Sequence, residues 1–105
     1  MLFATKKIGL TLVLLLFGVG AQAHSPRFSC YAEADQQILC EGGFSDGSSA
    51  RGVSISMLSY EDKLLWSGQL DAQSQIRFKR PEGRFYLRFE GGAGHTLELD
   101  HHEIQ

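Results

Sequence analysis

The chain lacks most of the devices that enzymes and nucleic-acid binders carry. It has no glycine-rich phosphate loop and no Gly-x-Ser-x-Gly elbow. Its acids stand singly on faces and turns that read as wet, so no carboxylate pair is set for general acid–base work. Ten basic side chains stand against twelve acidic ones, and two of the basic ones, Lys6 and Lys7, belong to an N-terminal segment of different character. The remainder of the chain keeps a net negative charge, which argues against a nucleic-acid footprint, since that would need a basic face. No segment of useful length beyond the N-terminus repeats apolar residues at the helical period. Internal repeats, low-complexity tracts and signs of a second domain are absent. Only two cysteines are present, at positions 30 and 40.

The N-terminal segment reads as a cleavable signal peptide over residues 1–23. Lys6 and Lys7 form a positive n-region, Ile8 to Gly20 is an uncharged apolar run, and Ala21-Gln22-Ala23 is a small-x-small cleavage site. As a helix the run would reach roughly 20 Å, short of the ~30 Å of a membrane core, so cleavage is favoured over a retained anchor. No cysteine stands after the site to take a lipid. The expected product is a soluble periplasmic protein of residues 24–105, a single domain with no membrane span. A core of that size is marginal without a staple.

Cys30 and Cys40 supply the expected staple. Phe28 to Ala34 and Gln37 to Cys40 flank a polar Asp35-Gln36, which reads as a hairpin. A three-residue loop over Ala34 to Gln36 would set the two cysteines opposite each other, in a compartment that favours disulfides. The alternative is a paired thiolate metal site, but nine intervening residues match no standard metal-knuckle spacing. Further short alternating runs are Val53 to Met57, Leu64 to Gly68, Gln75 to Lys79, Arg84 to Glu90 and His95 to His101. Gly, Asp and Ser clusters punctuate them. About seven short strands at roughly ten-residue spacing predict an all-β fold, a small antiparallel β-sandwich. The last residues, His102 to Gln105, are expected to fray.

Histidine is the residue type with chemistry to offer, and all four lie after the cleavage site, at His24, His95, His101 and His102. Cleavage would make His24 the first residue, so its α-amine and imidazole could chelate one ion, a donor set that suits copper or nickel. Pro26 at the third position excludes the amino-terminal motif that needs histidine there. A further imidazole must then come from the fold. His95 and His101 share a strand face but stand roughly 20 Å apart along an extended strand, so only one of them could join His24. His95 also reads as a loop-end residue capping the Gly91 to Gly94 turn. Asp100-His101-His102-Glu103 forms a local patch whose two imidazoles would point to opposite faces of a rigid strand, though a frayed tail would let them converge. Solvated polarity is the plainer account of that patch.

Phe44-Ser45-Asp46-Gly47-Ser48-Ser49-Ala50-Arg51-Gly52-Val53 resembles the F-x-D-G-x-x-A-x-G-V opening of transthyretin-like (prealbumin-like) and carboxypeptidase-regulatory-like β-sandwich domains. Leu58 to Gly68 is similar to their strand–turn–strand V-x-D-x-x-G-K-x-L-x-x-G, and Leu70 to Phe78 to T-D-x-x-G-x-F-x-F. Gly92-Ala93-Gly94-His95 resembles the G-x-G-H ending of one branch, the small periplasmic components that accompany nickel and cobalt uptake transporters. The resemblance runs from Phe44 to Leu99. It implies a β-sandwich that binds nickel or cobalt, with copper favoured instead by the chemistry of His24, and a membrane metal transporter as partner. The expected protein is therefore a non-catalytic metal-binding accessory component. The alternative is a metal-free envelope interaction domain that docks through a strand edge, presenting Tyr60, Trp66, Tyr86, Arg84 and Arg88.

Overall fold

The computed structural model describes residues 24–105; the stretch read as a signal peptide lies outside the described residues. Seven strands form two antiparallel sheets: β1 (Pro26–Ala32), β2 (Gln37–Phe44), β3 (Ser54–Ser59), β4 (Leu64–Gln69), β5 (Gln75–Lys79), β6 (Phe85–Glu90) and β7 (Thr96–Asp100). One sheet runs β1-β2-β5 and the other β4-β3-β6-β7. The all-β sandwich expected from alternation and turn spacing is the architecture found.

Alternation decides which side chains meet between the sheets. In β6, Phe85, Leu87 and Phe89 are buried while Tyr86 and Arg88 lie on the wet face. In β3, Ile55 and Met57 point the same way as the β6 trio. The smaller sheet contributes Cys30, Ile38, Cys40 and Phe78. The Phe89 ring lies 5.6 Å from Phe28 and 5.9 Å from Phe44, stitching β6 to both strands of the first hairpin. Each large apolar side chain buried in this way stabilises the fold by about 1.5–3 kcal/mol. Gly42 lacks a side chain for a packing reason: a Cβ there would stand 2.8 Å from the ring of the fully buried Phe89.

Cys30 and Cys40 face each other directly across β1 and β2, with Cα atoms 4.1 Å apart, and are disulfide-bonded. The three-residue loop beneath them is a short turn, Ala34–Gln36, in which Asp35 and Gln36 both take left-handed backbone angles. Glu33 N–H closes it on Gln37 O. Both cysteines are fully buried, so the bridge closes the loop and fills volume between the sheets.

Ser74 does a similar job with hydrogen bonds. It sits between β4 and β5 at φ 60°, a backbone angle that favours glycine. Its side chain explains the exception. The hydroxyl accepts from Ala50 N–H at 2.9 Å and lies 3.0 Å from Ser49 Oγ, while its carbonyl accepts from Gly42 N–H. One buried serine thereby fastens the long β2–β3 connection to the β4–β5 turn.

The C-terminal residues do not fray. Ile104 packs against the core, Gln105 N–H donates to Cys30 O at 2.9 Å, and Ala32 N–H donates to Gln105 O at 2.7 Å. The expectation fails because a terminal position says nothing about burial. The tail is tied by an apolar side chain and by the otherwise open edge of β1.

Candidate metal centre

The four histidines fall into two groups at opposite ends of β7. His95 precedes the strand, and His101 comes directly after it.

At the first end, His24 is exposed, and its Nδ1 stands 3.3 Å from Asp46 Oδ2. Asp46 is held by the Ser48 hydroxyl at 2.7 Å and by Ser48 N–H at 2.9 Å. Those two donors, with a smaller contribution from His24, keep its carboxyl below the ordinary carboxylate range. Ser25 and Ser45 exchange hydrogen bonds that pin the start of β1 to the end of β2. His95 closes the Gly91–His95 turn through its backbone and sets its ring edge-on to Phe44 at 5.8 Å. The ring itself is the cap expected from sequence; the backbone closes the turn instead, and the ring packs on Phe44. Neither His24 nor His95 belongs to a group of three donors able to hold an ion among the described residues.

The second end does hold such a group. Asp100, His101 and His102 each offer a ligand atom, and these atoms lie within 4.8 Å of one another. Donors bound tetrahedrally to one ion at 2.0–2.2 Å stand roughly 3.3–3.6 Å apart, so the group is within about 1.5 Å of a working geometry. His102 is exposed, so its side chain has room to make that adjustment.

Local sequence creates the convergence. Asp100 ends β7 and caps a single 3-10 turn, His101–Glu103. Its Oδ2 accepts from His102 N–H at 3.0 Å, and Glu103 Oε1 accepts from Asp100 N–H at 2.8 Å, a capping box. In this turn the two imidazoles no longer point to opposite faces as in a strand, and their ring centroids are 4.0 Å apart. The Asp-x-x-Glu spacing at positions 100 and 103 is the sequence signal for this turn.

Tertiary contacts orient the donors. The Tyr60 hydroxyl, beyond the end of β3, donates to Asp100 Oδ1 at 2.5 Å, leaving Oδ2 on the side of the histidines. The Arg84 guanidinium covers the Tyr60 ring at 4.9 Å. The Tyr60 hydrogen bond first, and His102 N–H second, hold the Asp100 carboxyl below its ordinary range. The same bond pushes the Tyr60 phenol up. Asp100 is thus a dependable anion, oriented as ligating carboxylates are by a hydrogen-bonding neighbour.

His101 is the least satisfied of the donors. Its side chain is only 15% exposed and packs on Phe85, with ring centroids 5.4 Å apart. Nε2 is buried without a hydrogen-bond partner among the described residues, and the Asp100 oxygen at 3.9 Å is too distant to supply one. An orphaned buried nitrogen costs about 1–3 kcal/mol. An ion between Nε2 and Asp100 Oδ2 would remove that cost.

The residues named for edge docking separate as well. Tyr86 and Arg88 lie on the outer face of the larger sheet, tied to Asp62 and Glu98. Trp66 is half-buried and stacks on Phe78 at 5.0 Å. It borders an open groove of about 380 Å³ with Met57, Leu65, Phe78 and Pro81. No protein-family model, no curated protein and no solved structure matches this chain.

Proposed function

We propose that this chain is an exported accessory protein that binds a divalent transition metal and holds it or hands it over near a membrane transporter. The unsatisfied Nε2 of His101, beside the oriented Asp100 carboxylate and the exposed His102 donor, carries the reading. Two imidazoles and one carboxylate suit borderline ions, with nickel, cobalt and copper the candidates. The resemblance of the Gly92–His95 stretch to the nickel and cobalt branch favours the first two. Three protein donors leave coordination positions for water or for a partner's ligands, which suits transfer better than permanent storage. His24, with its α-amine exposed by cleavage, is a secondary site beside Asp46.

Calorimetric titration of the processed protein with nickel, cobalt, copper and zinc tests this, once mass spectrometry has fixed the first residue. Submicromolar binding that is lost in His101→Ala and His102→Ala, and kept in His24→Ala and His95→Ala, supports the reading. An affinity no tighter than about 0.1 mM, or only ~5.5 kcal/mol, would sink it.

A second reading, a metal-free domain that docks on an envelope protein, has its own observation. The edge strand β4 runs from Leu64 to Gln69 without a charge or a proline, and Leu64 and Leu65 are 59% and 46% exposed. Natural edges are normally guarded by such residues, so an unguarded one suits strand addition beside the Trp66 groove. Leu65→Lys should abolish partner capture under this reading and leave ion binding unchanged.

A further inference from the structure

The turn that carries the metal donors also closes the edge of β1. Asp100, His101 and His102 occupy its first part; three residues on, Gln105 bonds through both backbone groups to Cys30 and Ala32. Between these ends Ile104 N–H donates to His101 O at 3.4 Å, and the Ile104 side chain packs against the core. Without the tail, Cys30 O and Ala32 N–H would lose these partners, leaving a strand edge open to pairing with another chain.

Resting on the metal reading, we infer that ion binding locks this turn onto β1, so that the edge at Cys30 and Ala32 opens only in the metal-free protein. The physical reason is geometric. Lifting Gln105 from β1 pulls on Ile104, whose N–H is bonded to His101 O, and a turn that unwinds or swings away from Phe85 in response separates His101 from Asp100. An ion bound to both, and to His102, opposes that separation. The tail then reports whether the site is filled, in the form of a covered or uncovered row of backbone donors and acceptors.

Amide hydrogen exchange with zinc, a diamagnetic probe, tests the coupling in the processed protein. With free zinc at roughly 100 times its dissociation constant, opening that requires ion release is suppressed about 100-fold. The Ala32 and Gln105 amides should slow by up to that factor. The Glu33 amide, bonded to Gln37 O within the hairpin, is the internal control. By reciprocity, Gln105→Pro removes the N–H donated to Cys30 and should weaken nickel and zinc binding several-fold. Zinc binding that slows Ala32 and Gln105 no more than Glu33 overturns the lock and leaves the metal site standing. So does full affinity in a folded Gln105→Pro variant. Failure of both ions to bind the unaltered protein overturns the metal reading, and the lock with it.

Discussion

Tyr60 and Asp100, forty positions apart, are joined by a hydrogen bond of 2.5 Å that fixes which carboxylate oxygen faces the two terminal histidines. Tyr60 therefore acts on the site through Asp100 and touches none of the other donors by hydrogen bonding. Replacing it with phenylalanine should keep the fold, because Tyr60 is exposed beyond the end of β3. Metal affinity should fall about 10-fold or more, the usual consequence of removing an orienting partner. Calorimetry on Tyr60→Phe beside the unaltered protein checks this, and equal affinities would remove Tyr60 from the site. The same bond predicts that Tyr60 ionises above the ordinary tyrosine value, which ultraviolet titration of the two proteins reads directly.

Ser74 gives a test in which backbone and side chain oppose each other. Ser74→Gly relieves the left-handed backbone but loses the hydroxyl that accepts from Ala50 N–H. Ser74→Ala loses the hydroxyl and keeps the strain. Both should destabilise, by about 1–3 kcal/mol for the orphaned buried amide, with alanine the worse of the two. Urea unfolding of both variants measures the difference. If glycine proved more stable than serine, the hydroxyl would have no structural role.

The disulfide closes a short loop, and the chain-entropy estimate gives about 3 kcal/mol for it. Converting Cys30 and Cys40 together to alanine should cost at least that much, because both side chains also fill the core. For a domain this small, about 3 kcal/mol lowers the melting temperature by roughly 12–24 °C. A calorimetric scan of the double variant measures it, and a shift of only a few degrees would mean that the hairpin holds its ends together unaided.

Acid should loosen both ends of the sandwich. Asp100 and Asp46 have carboxyls held below their ordinary range, Asp100 chiefly by Tyr60 and Asp46 chiefly by Ser48. A depressed carboxyl contributes stability that is fully present above its unfolded value of about 3.9 and is lost as pH falls through the lower folded value. Tail amides followed by nuclear magnetic resonance should stay native at pH near 5 and lose protection only as pH falls below the unfolded value of about 3.9. Asp100→Asn should remove most of that dependence at the C-terminal turn. If the turn opened equally in both proteins, the cause would lie elsewhere.

Local pattern makes most of the fold legible. Each strand announces itself within a few residues by alternation, as in Arg84 to Glu90, and the turns by polar clusters between them. Cys30 and Cys40 can be paired from sequence because a three-residue loop leaves little freedom in register. The tail is illegible for the complementary reason: Ile104 and Gln105 gain their partners from β1 and the core, more than seventy positions earlier in the chain for the Cys30 and Ala32 contacts.

The histidines mark the same boundary. The sequence alone determined that all four stand beyond the apolar N-terminal run and that a strand's length separates His95 from His101. That separation is a consequence of strand rise, whereas the shared face expected of the two ended with the strand, because His95 lies in the turn before β7 and His101 in the 3-10 turn after it. Only the tertiary structure decided which donors converge. It set His95 against Phe44 and seated His101 on Phe85 with a nitrogen unsatisfied. It also turned Asp100 toward the histidines through a tyrosine just past the end of β3. Packing between sheets has no signature in local order, because the contacts that orient a side chain come from residues remote in sequence.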